Sequence, residues 1–174
     1  KTKENKMKKI SLIALAVCSM ILVACKNNTP DKNEPEKVKF EIKYKPDAKS
    51  NWVVVKEGDV ITFDKPNSPD PKKTDEYLFD GKIFTNVTFK VVIDAVRDYQ
   101  EGTTDEHCTL VCMKGNGKKT ETVAPDVPVE KESGMFLQWH CTPKNAGDNN
   151  LTLTVYQKDD KDNKLTFKIN FKKS

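Results

Sequence analysis

Histidine is scarce in this chain, 2 residues among 174, and glycine is hardly more common at 7. Two histidines leave little material for a His-based catalytic triad, and so few glycines argue against a phosphate-cradling loop. No Gly-x-Ser-x-Gly, His-Glu-x-x-His or P-loop pattern occurs. Long apolar runs are missing too. The longest, Ile10 to Val23, falls short of the roughly 20 residues a spanning helix needs. Helical periodicity barely appears: Val91 to Tyr99 could make about two turns, but β-branched residues dominate its first half. A carboxylate pair is the one catalytic option left open, yet most Asp and Glu side chains simply solvate outward strand faces. No enzyme, cofactor or metal is expected.

What is present begins at the N-terminal end. Basic Met7-Lys8-Lys9, the apolar core Ile10 to Val23 and small Ala24 have the three parts of an export signal. Lys1 to Lys6 precede the first Met and are set aside from the fold. Leu22-Val23-Ala24-Cys25 resembles a bacterial lipobox, with a branched apolar residue, a small residue and then the cysteine to be acylated. The resemblance implies removal of residues 1–24, a diacylglycerol on the Cys25 sulfur, and a partner in the membrane itself. It places the protein in the cell envelope, outside the cytoplasm. Lys26, where Asp would signal inner-membrane retention, leans toward the outer membrane if the cell is Gram-negative.

Loss of the leader changes the charge. It carries five lysines and Glu4, so Lys+Arg falls from 30 to 25 and Asp+Glu from 26 to 25, and the formal +4 becomes 0. A neutral chain with interspersed charges has no general attraction for phosphates, so no nucleic-acid partner is expected. Residues 25–37 have no apolar side chain beyond Cys25 and two prolines. They cannot offset the cost of ordering and read as a tether reaching about 40 Å.

Residues 38–174 make one domain, expected to be monomeric. Its dominant signal is alternation: Val38, Phe40, Ile42 and Tyr44 against Lys39, Glu41, Lys43 and Lys45, and again at Leu151 to Tyr156 and Leu165 to Phe171. Phe84 to Val96 reads as a central strand. Hairpins are expected at Trp52–Val55 with Val60–Phe63, and at Cys108–Met113 with Lys119–Val123. Prolines fall between the apolar runs. Strands at such spacing with turn chemistry between them predict an all-β sandwich or barrel.

Residues Gly134 to Gly147, then Leu151 to Val155 and Leu165 to Phe171, resemble the closing strands of a bacterial immunoglobulin-like domain. There an aromatic strand ends in Thr-Pro, a short loop ends in Ala-Gly, and a terminal hairpin follows. The resemblance implies an immunoglobulin-like β-sandwich of roughly 7–9 antiparallel strands. The loop Asp64 to Asp75 departs from it. Lipobox plus one such domain is similar to the TraQ-type lipoproteins of Bacteroidetes conjugative transposons, which would imply a conjugation-apparatus component.

In an exported protein cysteines pair by default. On one strand Cys108 and Cys112 would lie about 13 Å apart, too far to bridge. With Cys108–Met113 as strand C and Phe136–Cys141 as strand E, both end at one pole, and Cys112–Cys141 is the expected disulfide. Three reduced, buried cysteines are the alternative. His107-Cys108 and His140-Cys141 suggest metal ligands, but strand neighbours point to opposite faces. The leading reading is a lipid-anchored, non-catalytic binding or assembly module for an unidentified protein partner. Its candidate recognition loops are Asp64–Asp75, with Lys65, Pro66, Asn67, Pro69 and Pro71, and Tyr99–Glu106, with Tyr99 and Glu101. The alternative is a peptidase inhibitor presenting a proline-stiffened loop, Lys65–Lys73 or Pro125–Val129.

Overall fold

A computed structural model describes residues 36–174; the leader, Cys25 and most of the tether lie outside the described residues. Eleven strands form: β1 (Phe40–Lys45), β2 (Val53–Val55), β3 (Val60–Phe63), β4 (Tyr77–Thr85), β5 (Phe89–Asp98), β6 (Thr104–Cys108), β7 (Cys112–Lys114), β8 (Thr120–Val129), β9 (Met135–Thr142), β10 (Gly147–Gln157) and β11 (Asp160–Lys173). They build two sheets, ordered β2-β1-β4-β9-β6-β7 and β3-β11-β10-β5-β8. Alternation explains why the sheets stack. Leu137, Trp139 and Cys141 of β9 face Leu151, Leu153 and Val155 of β10 and Phe167, Ile169 and Phe171 of β11, all at most 1% exposed. Among the described residues the core cluster runs from Ile42 to Phe171, with Val38 packed against it.

The fold is all-β, an immunoglobulin-like sandwich. The order β1-β4-β9-β6 over β5-β10-β11 matches the A-B-E-D over C-F-G arrangement of that class. The expected seven to nine antiparallel strands become eleven, and β3 runs parallel to β11. The predicted Phe84–Val96 strand is the end of β4, a turn, and most of β5.

Neither expected hairpin forms. The turn at Lys56–Asp59 is real, with Gly58 at φ 78° and the Asp59 carboxylate accepting from the Lys56 amide at 2.8 Å. It carries the chain from β2 in one sheet to β3 in the other. Likewise β7 and β8 lie in different sheets. Alternation fixes which face of a strand is buried and leaves its pairing partner open. Pro125 and Pro128 sit inside β8, an edge strand where a missing amide is tolerated, so Pro125–Val129 is no free loop.

The cysteine pairing also differs from expectation. Cys108–Met113 is not one strand: the chain reverses at Thr109–Val111, setting Cys108 directly opposite Cys112 with Cα atoms 4.0 Å apart. Those two form the disulfide, and Cys141 is the buried free thiol. Cys108 pairs with Gln138, on the outer side of the sheet, whereas Cys141 pairs with Asp105 and faces the core. A Cys112–Cys141 bond would have to pass through the sheet. Burial pushes the Cys141 thiol well above the ordinary range.

Peptide mapping of unreduced protein should therefore find Cys108 joined to Cys112, with Cys141 alkylated only after unfolding. Reduction should cost about 2 kcal/mol by urea titration, the entropy of closing so short a loop. A Cys112–Cys141 peptide, or a native protein that alkylates at Cys141, would contradict this pairing.

Candidate functional site

Chemistry-bearing side chains gather at one end of the sandwich. The inward row of β5 runs Phe89, Val91, Ile93, Ala95 and then Arg97, where a cation replaces an apolar residue. Across the core, β6 turns Asp105 and His107 inward, opposite Cys141 and Trp139 of β9. Arg97 Nε donates to Asp105 Oδ2 at 2.7 Å, joining the two sheets, with both side chains at most 5% exposed. The same oxygen accepts from Trp139 Nε1 at 2.9 Å and Tyr99 OH at 3.3 Å. Breaking such a pair from one side costs about 3–5 kcal/mol, because it strands a buried charge.

The cluster is close-packed. A Cβ at Gly115 would collide with Asp105 Oδ1, so only glycine fits there. Burial would lower the Arg97 pKa, but the Asp105 carboxylate outweighs it and raises it. Burial, then Cys141 and Asp105, drive the Tyr99 hydroxyl well above its usual range. Glu121 Oε2 lies 3.1 Å from Arg97 Nη1 without hydrogen-bond geometry, and Arg97 Nη2 has no partner among the described residues. A cavity of about 460 Å³ opens above, lined by Arg97, Gln100, Thr103, Asp105 and Lys119 among others.

A second cluster centres on Glu76, 6% exposed. Its carboxylate accepts from Ser68 Oγ at 2.9 Å and Lys73 Nζ at 2.8 Å, and lies 3.0 Å from His140 Nδ1. Burial pushes the Glu76 pKa up, but the Lys73, His140 and Ser68 contacts together hold it below the ordinary glutamate range. A serine, a histidine and a carboxylate meet here in the wrong order for acyl transfer. The serine donates to the carboxylate, and nothing places it on the imidazole that would have to take its proton.

The residues singled out for recognition divide. Lys65, Pro66, Pro69 and Pro71 are exposed on the Asp64–Asp75 loop. Asn67 is a strut: its amide donates to the carbonyls of Pro46 and Leu78 and accepts from the Leu78 amide at 2.7 Å. Tyr99 turns its hydroxyl into the buried cluster, and Glu101 is exposed. Buried Asn149 pins that second loop, accepting from the Gln100 amide and the Thr103 hydroxyl. The sequence marks Arg97 only as a cation ending an inward row of apolar residues, and carries no comparable signal for Asp105.

The histidines lie on opposite faces of the six-stranded sheet, His140 outward and His107 inward, so they cannot share an ion. Glu106 lies near the sulfurs of Cys108 and Cys112, but in the disulfide these offer no thiolate.

No family model matches the chain, and no curated protein matches it. Among solved structures, the N-terminal domain of PorA aligns at TM-score 0.57 and 15% identity, over 78% of this chain and 98% of that one. That likeness shows the fold alone. The ASH/PapD-like domain 7 of human CEP192 aligns at TM-score 0.32 and 11% identity, over 79% of this chain and 85% of that one, too distant to bear on the fold.

His107 generates a prediction of its own. It is 3% exposed, stacks on Trp139 with ring centres 5.2 Å apart, and neither ring nitrogen has a hydrogen-bond partner among the described residues. Burial, then the Arg97 guanidinium, lowers its pKa. The unfolded chain therefore takes up the proton first. Stability is lost as pH falls from about 6.5 toward the lowered folded value. His107→Phe keeps the stack and should gain about 1 kcal/mol at neutral pH, with the gain growing toward about pH 5.5. Urea titrations at both pH values check this; a variant less stable at both would contradict it.

Proposed function

We propose that this protein is a non-catalytic, extracytoplasmic binding or assembly module, held on a membrane through acylated Cys25. One observation supports the reading most. The polar groups able to do chemistry are consumed by one another: Asp105 by Arg97, Tyr99 and Trp139, and Glu76 by Ser68, Lys73 and His140. No nucleophile is set against a base in either cluster, so function falls to surfaces and loops. The lipobox and the polar tether add the address.

The address is tested by expression in a bacterium that processes lipoproteins. Wild-type protein should lose residues 1–24, gain the mass of a diacylglycerol on Cys25 and enter the detergent phase. Cys25→Ser should do none of these. A wild-type product with an intact leader and a bare thiol sinks the reading.

A second reading, an envelope-protecting peptidase inhibitor, draws on the three hydrogen bonds by which Asn67 fixes the Asp64–Asp75 loop. A loop held before binding pays less entropy in a protease cleft. The inhibitor reading predicts stoichiometric, tight loss of activity when secreted proteases are titrated with the domain, and cleavage within residues 64–75 without inhibition would exclude it.

A further inference from the structure

The outer face of the six-stranded sheet departs from an ordinary solvated surface. Ile42 and Ile83 are buried partners, so the residues one step away in the register, Lys43 with Lys82 and Glu41 with Phe84, point outward. Lys82 in turn lies opposite Phe136, which is 55% exposed. Trp52, 39% exposed just before β2, meets Phe84 edge-on with ring centres 5.8 Å apart. The ammonium groups sit over these rings: Lys43 and Lys82 over Phe84 at 5.1 and 5.5 Å, Lys82 over Phe136 at 5.2 Å, and Lys45 over Trp52 at 5.1 Å. Glu41 pairs with Lys43 at 2.7 Å, while Lys45 and Lys82 take part in no ion pair among the described residues.

Two further features lie at the same end of the sheet. The Asn86 side chain, two residues past Phe84, grips the incoming chain: its Nδ2 donates to the Lys37 carbonyl, and its Oδ1 accepts from the Lys39 amide. Lys37 therefore enters the domain beside this face. The register also carries β6 past Gln138 toward the level of Phe136, where the disulfide-closed turn exposes Leu110 and Val111 by 65% and 64%.

From this geometry we propose that the Trp52–Phe84–Phe136 face, with Lys43, Lys45 and Lys82, is a docking surface for an anionic phospholipid bilayer. Aromatic rings at the headgroup level and lysines reaching anionic phosphates are what an interfacial surface needs. Cation–π contacts hold the ammonium groups over the rings, so rings and charges meet one plane together. The position adds to the chemistry. A chain anchored ahead of Lys37 brings this end toward the membrane, and the face then sets the orientation of the domain. This last step rests on the lipid-anchored reading. The binding itself does not.

The test uses the chain from Lys26 onward, which keeps every described residue and lacks both leader and acyl group, so failure of the face and failure of the anchor are read separately. Sedimentation with phosphatidylglycerol/phosphatidylethanolamine vesicles should pull the protein down at low salt, with release as salt rises. Phosphatidylcholine vesicles should not. Lys43→Gln with Lys82→Gln should weaken binding ~30-fold, as about 1 kcal/mol per basic residue implies. Trp52→Ala with Phe136→Ala should weaken it as well. Lys168→Gln with Lys172→Gln, on the outer face of the other sheet, should leave it unchanged, and circular dichroism should show every variant folded. No binding to anionic vesicles, equal binding to phosphatidylcholine, or equal loss in the two lysine pairs would overturn the proposal. The first of these results would leave an acidic protein as the partner of the face.

Discussion

The carboxylate of Asp105 is the point on which one end of this sandwich depends. It reaches from one sheet to Arg97 of the other and collects the indole and phenol donors of Trp139 and Tyr99 on one oxygen. Two sheets packed only by Leu, Ile and Phe can slide, because apolar contact has no direction. A buried ion pair with satisfied hydrogen bonds has direction and penalises misregistration. Several local choices follow from it. The β7–β8 connection must bring Gly115 against the carboxylate, Tyr99 must turn inward at the start of the β5–β6 connection, and β9 must place Trp139 opposite His107. His107, neither of whose ring nitrogens has a partner among the described residues, sits where stacking matters more than hydrogen bonding.

How much of this was legible in the residues follows a physical division. Alternation exposed the faces: Leu151, Leu153 and Val155, and Phe167, Ile169 and Phe171, turn inward as their spacing predicts. Pairing was not legible, because period two is blind to which strand lies alongside. The pairs β2/β3 and β7/β8 look like hairpins in sequence and separate into different sheets in space. The disulfide was hidden for a related reason. Thr109-Leu110-Val111 has no glycine, proline or asparagine, and its residues favour strands, so the reversal that brings Cys108 to Cys112 carried no signal.

The candidate sites were legible in a different sense. Asn67 and Tyr99 drew notice as loop residues suited to recognition, yet both spend their polar atoms fastening those loops to the sandwich. Loop position alone cannot distinguish a polar side chain that waits for a partner from one that already has it. The outer face left a clearer trace. Phe136 stands one residue out of phase with Leu137, Trp139 and Cys141, and Phe84 likewise with Ile83. An aromatic residue on the polar phase of a strand has no core to enter and calls for another explanation.

Net charge conceals this face. Across residues 25–174 the basic and acidic residues balance at 25 each, so no long-range field draws this part of the chain to an anionic partner. What remains is asymmetry at short range. Lysines crowd over rings on one sheet face, while Asp126, for example, lies at the outer edge of the other sheet, paired with Lys90 and Lys158. Within a Debye length such a patch acts as a local cation, and beyond it the domain is neutral. Such a surface suits a partner already held nearby and suits poorly one that must be found by diffusion. Under the proposed lipid anchoring, a link entering at Lys37, beside Phe84, would meet that condition, since the covalent link does the finding and the lysine–aromatic face needs only enough affinity to choose an orientation.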